Sequence, residues 1–322
     1  MPATTSSATA SLTETAHAVL SLLLPHRRTI EADPENDTTH DFPHQIRQIS
    51  HHLERQQPIL FSLPGFPCKS PNTAKVISHL PDEGERLALH FLQDLCTRIE
   101  KIYSPGARVL ICSDGHIFGD VIGVPDEHID AYGDTLRTMI EEEGLDHLGT
   151  FDLRDVYGPD LDYDEKRRLT AERYAPTVEQ LRAEVKTDDS TLRMYRGITR
   201  FLVEDTPDWT GSKAALQRQS RQRAYHVIAR SRAWASLIAD YHQDTVRLSI
   251  HPQNRNEAKY GIKFLDTNNP WTTPWHATLV EHPDGYQLLP HTRAAELGEP
   301  VTDKGRVTHY RSSLPMAEAS EA

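Results

Sequence analysis

The chain has 322 residues, enough for one large domain or two unequal ones, and its 37% hydrophobic and 25% charged content is that of a globular protein. A formal net charge of −12 has the wrong sign for a duplex nucleic-acid binder and weakly disfavours anionic membrane surfaces. A few local cations would still suffice to hold a phosphorylated small molecule. Three scattered cysteines, Cys68, Cys96 and Cys112, with no CxxC pair, argue against a disulfide framework or a structural zinc site and fit a reducing, cytoplasmic setting.

Met1 to Ser11 is rich in Ala, Ser and Thr and reads as disordered. The apolar stretch Ala16 to Leu24 is too short to span a membrane. The basic run that follows it is the reverse of a signal peptide's charge order. It reads as a short amphipathic or buried helix, capped by Ser11 or Thr13. Residues 1–41 are therefore expected to be an N-terminal extension with a short helix, ahead of a main domain over 42–314 and a flexible tail over 315–322.

Phe42 to Leu53 suits a short helix, and Pro58 to Leu63 a strand that ends at the rigid turn Pro64-Gly65-Phe66-Pro67. Pro81 to Tyr103 carries a helical period and stops at Pro105-Gly106. Arg108 to Cys112 reads as a buried strand running into Ser113-Asp114-Gly115-His116. Strand, helix and strand in this order predict a parallel βαβ unit. Its ligand crevice should lie beyond the carboxyl ends of the strands, where loops 64–72 and 113–120 fall.

Asp126 to Glu143 is a predicted helix, and Phe151 to Tyr157 a short strand or turn. Tyr163 to Lys186 is charged and mostly helical, with a break before Pro176. Leu192 to Leu202 and Lys213 to Tyr241 continue the helical part. Val246 to Ile250 reads as a strand with one wet face, carrying Arg247 and Ser249, and Lys259 to Leu265 as another strand. A hairpin is expected around Pro283-Asp284-Gly285.

Several groups of residues can carry chemistry. Asp114, His116 and Asp120 follow an apolar strand closely enough to be aimed into a crevice, where they can orient an amine or move protons. They also fit an Asx turn with a surface histidine. Lys69, in the Pro/Gly-rich loop, can contact phosphate as a point charge or simply face solvent. Arg193 and Arg196, like Arg223 and Arg230, recur at helical spacing and can grip a phosphate or carboxylate, or pair with the acid-rich segment 141–189. Lys213 opens the same long helix as Arg223 and is a further candidate cation. Arg247 and His251 share one face of an extended strand. Trp271 and Trp275 can wall an aromatic substrate beside His276, or simply anchor a packed loop. There is no GxSxG, HExxH, Walker A or GxGxxG pattern.

These segments resemble the isocyanide synthase family, which includes pyoverdine and dityrosine biosynthesis proteins. The matching blocks are FSLPGFPCKSPNTAKV from Phe61, LICSDGHIFGDVIGVPDEHI from Leu110, LRMYRGITRFLVED from Leu192, VIARSRAWASLI from Val227, VRLSIHP from Val246 and TPWHATLV from Thr273. Six ordered blocks across most of residues 42–290 are far more specific than one short motif. The resemblance implies an α/β fold with a Rossmann-like, mostly parallel sheet and additional helices.

It also implies an enzyme that converts the amino group of an L-amino acid, tyrosine or tryptophan in many members, to an isocyanide. Ribulose 5-phosphate is the carbon donor, with no cofactor and no metal. It implies a possible separate iron/2-oxoglutarate-dependent oxygenase acting on the product. On this reading Asp114, His116, Asp120 and His276 are the acid/base and orienting candidates. Lys69, Arg193, Arg196, Lys213, Arg223, Arg230, Arg247, His251, Trp271 and Trp275 are the substrate-binding candidates, with Lys69, Arg223 and Arg230 foremost for the phosphate. A non-catalytic phosphosugar-binding protein and a phosphosugar aldolase or isomerase remain open alternatives.

Overall fold

The computed structural model describes residues 4–207, 209–265 and 272–317. In chain order they form α1 (Thr4–Leu23), α2 (Pro43–Glu54), β1 (Ile59–Pro64), α3 (Glu83–Glu100), β2 (Ala107–Cys112), α4 (Gly115–Ile122) and α5 (Asp126–Glu142). Next come β3 (Leu148–Phe151), α6 (Leu153–Tyr157), α7 (Tyr163–Tyr174), α8 (Val178–Thr187), α9 (Asp189–Glu204) and α10 (Lys213–Tyr241). The chain ends with β4 (Val246–Ser249), β5 (Tyr260–Gly261), β6 (Thr278–His282), β7 (Gly285–Leu289), α11 (His291–Leu297), β8 (Glu299–Asp303) and β9 (Arg306–Arg311).

Local chemistry sets many of the boundaries. Pro43 opens α2 where its missing N–H costs nothing. The side chains of Thr177, Asp188 and Ser212 accept hydrogen bonds from the first turns of α8, α9 and α10. Pro176 lies in the expected break between α7 and α8.

The main sheet has the order β3-β2-β1-β4-β5, and every pairing in it is parallel. The order reverses between β1 and β4, and ligands in open α/β sheets bind beyond the carboxyl ends of strands at such a reversal. One face, carrying Ile59, Phe61, Leu63, Val109, Ile111, Val246 and Leu248, packs on α1, α2 and α3 in a single core. The other face carries Cys112 and Phe151 against Trp234, Leu237 and Ile238 of α10, and Trp234 Nε1 donates to the Cys112 carbonyl at 3.2 Å. A smaller sheet, β7-β6-β9-β8, flanks the first. This is the α/β, Rossmann-like architecture with additional helices.

Several local expectations change. The segment expected to be disordered is helical from Thr4, and α1 is longer than the Ala16–Leu24 stretch. Ala16, Val19, Leu20 and Leu23 are fully buried in the main core. Burial of each of the larger three is worth about 1.5–3 kcal/mol, so residues 4–41 are not set apart from the rest. Gly115 to Ile122 is a helix rather than a loop, and Leu153–Tyr157 is a helical turn. The wet face expected on β4 is covered by α10: Ser249 is buried and Arg247 donates to the Ala235 carbonyl. β5 is only two residues long, because Ile262 already bridges to Arg27 and Gly261 abuts the Arg28 carbonyl. The hairpin forms as β6 and β7, while β8 and β9 arise from sequence with no strand signal. Most of the expected flexible tail lies outside the described residues.

A buried ion cluster ties the loop after β1 to this frame. Lys69 Nζ lies 2.7 Å from both Asp82 and Glu85 and donates to the Pro274 carbonyl at 3.0 Å. Asp82 caps α3 through the Gly84 N–H, Glu85 returns a bond from the Asp82 N–H, and Tyr132 donates its hydroxyl to Glu85. The two carboxylates hold Lys69 charged despite its burial. Burial, against the attraction of Lys69, raises the pKa of Glu85. With one ammonium between two carboxylates, Glu85 is the group that holds a proton most readily.

The first prediction follows. Lys69→Ala strands two buried carboxylates and should destabilise the fold by about 3–5 kcal/mol. Denaturant unfolding of the variant and wild type measures this. A loss below about 1 kcal/mol would show that the cluster does not hold the loop.

Candidate active site

The carboxyl ends of the parallel strands β1, β2 and β4 lie along one edge of the sheet, and the segments leaving them define the candidate crevice. Two adjacent loops form its floor: Ser113 Oγ donates to the Phe66 carbonyl at 3.0 Å, and a Cβ on Gly115 would stand 2.1 Å from the Pro67 carbonyl. Only glycine permits that approach. Phe66 itself has φ 52°, a left-handed conformation that costs a non-glycine residue about 1–3 kcal/mol. Its ring is held in the core against Trp275 and Phe264, which keeps the turn in place.

Asp114 stands at the N-terminus of α4, yet its side chain does not cap the helix. Burial raises its pKa to about 7, opposed only by its own N–H. The side chain nevertheless keeps some accessible surface. A carboxyl with solvent access and a pKa near neutrality can both take and return a proton under working conditions.

His276 sits in a 3-10 turn, Pro274–His276, with Nδ1 3.0 Å from Thr273 Oγ1 and its ring edge-on to Phe201 at 5.2 Å. Burial is the main cause of a pKa lowered to about 4; Lys75, His251 and Lys69 add to it against the pull of Asp205. The ring is therefore neutral at pH 7. Asp205, at the end of α9, is 3% exposed and accepts hydrogen bonds from Ser70 Oγ at 2.8 Å and from Lys75. It joins the loop after β1 to α9 beside His276.

Beyond β4 the crevice wall is cationic. Arg28 is 4% exposed and donates to the carbonyls of Ile250 and Thr272, while its Nε is buried with no partner. Burial alone lowers its pKa to about 10. Burial also lowers Arg247, and it lowers Lys259 with help from the charge on Arg247. His251 is pushed down to about 4 by burial, Arg28 and Lys259. His251 is exposed as a residue and does not belong to the core. Among the described residues no carboxylate offsets Arg28, Arg247 or Lys259.

The other candidates are placed elsewhere. Lys69 has its donors committed to Asp82, Glu85 and Pro274, which leaves none for a phosphate. His116 is buried between Asp126 and Asp130 and stacked on Tyr163 at 3.5 Å. Burial lowers its pKa and the carboxylates do not fully offset that, so its place is in a polar network joining α4, α5 and α7. Asp120 is taken up by Arg230, with a second contact to Arg167. The two charges offset each other, while the Asp120 side chain stays 42% exposed. Trp275 is fully buried and walls no crevice. Arg193, Arg196 and Lys213 are exposed on their helices. Arg223 is half-buried, donating to the Val121 carbonyl at 2.6 Å and to Thr206 Oγ1. Trp271 lies outside the described residues.

Sequence reasoning missed Arg28, Lys259 and Asp205. Arg28 stands in the segment set aside as an extension, and Lys259 reads as an ordinary strand lysine. Asp205 closes one of the matched blocks, which was the signal available for it.

A cavity of about 630 Å³ lies between α5 and the start of α7. It is lined by Asp126, Asp130, Asp134, Asp162 and Asp164, against only Arg154 and Lys166 as cations. Such a lining repels a phosphorylated or carboxylated ligand, so the strand-end crevice is the better site despite the cavity's size.

Comparison with known proteins agrees with the geometry. Residues 49–299 match the family model described as pyoverdine/dityrosine biosynthesis protein. The chain is 45% identical over 284 residues to an L-tyrosine isonitrile synthase of Pseudomonas aeruginosa, covering 86% of each chain. It is 40% identical over 258 residues to an L-tryptophan isonitrile synthase of Fischerella ambigua, covering 80% of this chain and 78% of that one. The crystal structure of the PvcA protein from Pseudomonas aeruginosa superposes with a TM-score of 0.85 at 42% identity, covering 92% of this chain and 99% of the other.

Asp114 supplies a pH test. Its folded pKa is raised, so its contribution to stability is fully present below the unfolded value near 4 and is lost as pH rises through about 7. Asp114→Asn should therefore gain stability relative to wild type between pH 5 and pH 8, on the order of 2 kcal/mol. Thermal unfolding of both proteins across that range reads it. A difference that does not change with pH would remove the shifted carboxyl.

Proposed function

Because the chain belongs to the pyoverdine/dityrosine biosynthesis protein family, we propose that it is an isocyanide synthase. It converts the amino group of an L-amino acid, tyrosine or tryptophan, to an isocyanide with ribulose 5-phosphate as carbon donor. One observation carries the reading: a carboxyl of pKa about 7 follows β2, and cations with no described carboxylate partner lie on β4 and just before β5, on the two sides of the reversal in strand order.

The chemistry asks for such a division. The amine must lose a proton before it attacks the sugar ketone, and the resulting carbinolamine must lose water to give an imine. Asp114 is matched to both steps, because a group titrating near the working pH is a competent base and then a competent acid. His276, neutral and weakly basic, is suited to orienting the amino acid by hydrogen bonding more than to removing a proton from an ammonium group. Its burial among cations is the physical reason to shift the main proton-transfer role from His276 to Asp114. Later carbon–carbon cleavage and elimination would use the same acid/base carboxyl. A separate iron/2-oxoglutarate-dependent oxygenase, and a cytoplasmic location, belong to this reading as well. No helix among the described residues is long and apolar enough to cross a membrane.

Incubation with ribulose 5-phosphate and a panel of amino acids, read by mass spectrometry, is the test. Isocyanide should form with an aromatic amino acid. Binding without turnover would instead indicate a phosphosugar-binding protein, and sugar consumption without an amino acid an aldolase or isomerase. In single turnover, Asp114→Asn should lower the chemical rate by roughly 10²–10⁴-fold, with folding retained, and His276→Asn by less. A near-normal rate for Asp114→Asn would take that carboxyl out of the mechanism.

A further inference from the structure

The cations that end β4 define a subsite with a particular charge. Arg28 comes from the segment after α1, Arg247 from β4 and Lys259 from the start of β5, so three separate pieces of chain converge on it. Leu248 pairs with Tyr260 in parallel register, so Arg247 and Lys259, one position earlier on each segment, are neighbours across the two strands, and Arg28 is bonded by its backbone to Gly261, two residues beyond Lys259. The position of Arg28 is imposed by backbone. Its N–H donates to the Gly261 carbonyl at 2.8 Å, its own carbonyl accepts from Gln253, and a Cβ on Gly261 would lie 2.2 Å from that carbonyl.

Several other buried or half-buried arginines are met by acids, while Arg223 meets only the Val121 carbonyl and Thr206. Arg27 faces Asp37 and Glu31, Arg167 faces Asp126 and Asp164, and Arg230 faces Asp120. A protein of net charge −12 has carboxylates to spare, yet none of those described offsets this group. Gathering partly buried cations without carboxylate partners is costly unless an anion completes the group. The Nε of Arg28 is a buried donor with no partner, and the fork geometry of guanidinium groups suits phosphate oxygens.

We propose that Arg28, Arg247 and Lys259, with His251 at the rim, form the subsite for the phosphate of the sugar substrate. The inference rests on the isocyanide synthase reading for the identity of that substrate and on geometry for the subsite. A dianion matches three cations better than the single charge of an amino-acid carboxylate does. Arg223 contacts neither group: its neighbours Val121 and Thr206 lie at the other end of α10 from Ala235, which Arg247 touches. Twelve residues of helix separate positions 223 and 235, roughly 18 Å. One phosphate cannot span that distance.

Calorimetric titration of the full chain with inorganic phosphate, ribulose 5-phosphate and L-tyrosine tests this. Lys259→Met and Arg247→Gln should each weaken phosphate and ribulose 5-phosphate binding by roughly 10- to 100-fold. L-tyrosine affinity should stay within roughly twofold. Arg223→Gln should leave phosphate affinity unchanged. Arg28→Lys keeps the charge but loses the fork, and should fall between wild type and the charge-removing variants. If Arg28→Lys fails to fold, the other two variants still decide the matter.

A failure of phosphate to bind wild type at millimolar concentration overturns the subsite. So does a loss confined to L-tyrosine, or a loss on Arg223→Gln with Lys259→Met unaffected. Phosphate binding that depends on Lys259 and Arg247 without any isocyanide product would uphold the subsite and reject the proposed reaction. Isocyanide formation with an unchanged KM for ribulose 5-phosphate in both variants would do the reverse.

Discussion

The contact of Lys69 with Asp82, Glu85 and the Pro274 carbonyl holds the candidate site together. It joins three pieces of chain, the loop after β1, the capped start of α3 and the 3-10 turn that carries His276, and the Ser70 N–H donating to the Trp275 carbonyl adds a second link between loop and turn. Each participant is buried, so each needs the others to offset its desolvation. The capping box at Asp82 and Glu85 adds a second function to the same carboxylates, since they also satisfy the first N–H groups of α3. With the loop held in this way, Phe66 can be kept in a left-handed conformation and Pro67 can approach Gly115 closely. Asp114, next to Gly115, is thereby fixed at the end of β2.

The distribution of charge follows a related logic. Acidic groups exceed basic ones by 12 over the whole chain, and most described arginines near the site have been neutralised by them. Arg230 with Asp120 pins α4 to α10, and Arg167 with Asp126 pins α5 to α7. They behave as fasteners between helices. Among the described residues Arg28, Arg247 and Lys259 by the strand ends have no such partner, and neither has Arg223 on α10. This contrast between satisfied and unsatisfied cations separates frame from site more clearly than position along a helix does.

The segment before β1 also has more than a packing role. α1 covers one face of the sheet, and the chain leaving it runs along β5, where Arg28 and Arg27 are fastened by backbone contacts to Gly261 and Ile262. Removing the segment would expose the core beneath Val19, Leu20 and Leu23 and would also remove Arg28. Stability and the cationic wall thus depend on the same stretch of sequence.

The sequence by itself determined the fold class, the β1–α3–β2 unit and the placement of two unusual loops at strand ends. These follow from local periods, from Pro and Gly at turns, and from capping residues, all of which act over a few positions. It also marked Asp114, His276, Arg247 and His251 as belonging to chemistry-bearing segments. It did not distinguish Lys69, a buried counter-ion, from a surface or phosphate-binding lysine. Nor did it show that Asp120 and Arg230 neutralise each other, that Trp275 is sealed in the core, or that β8 and β9 extend the second sheet. Those outcomes depend on which groups meet across long sequence separations: Lys69 with Pro274, Asp120 with Arg230, Arg28 with Ile250 and Gly261. A residue type specifies what charge or donor is offered. Only the tertiary structure decides whether a partner within the protein accepts it or whether it is left for a ligand.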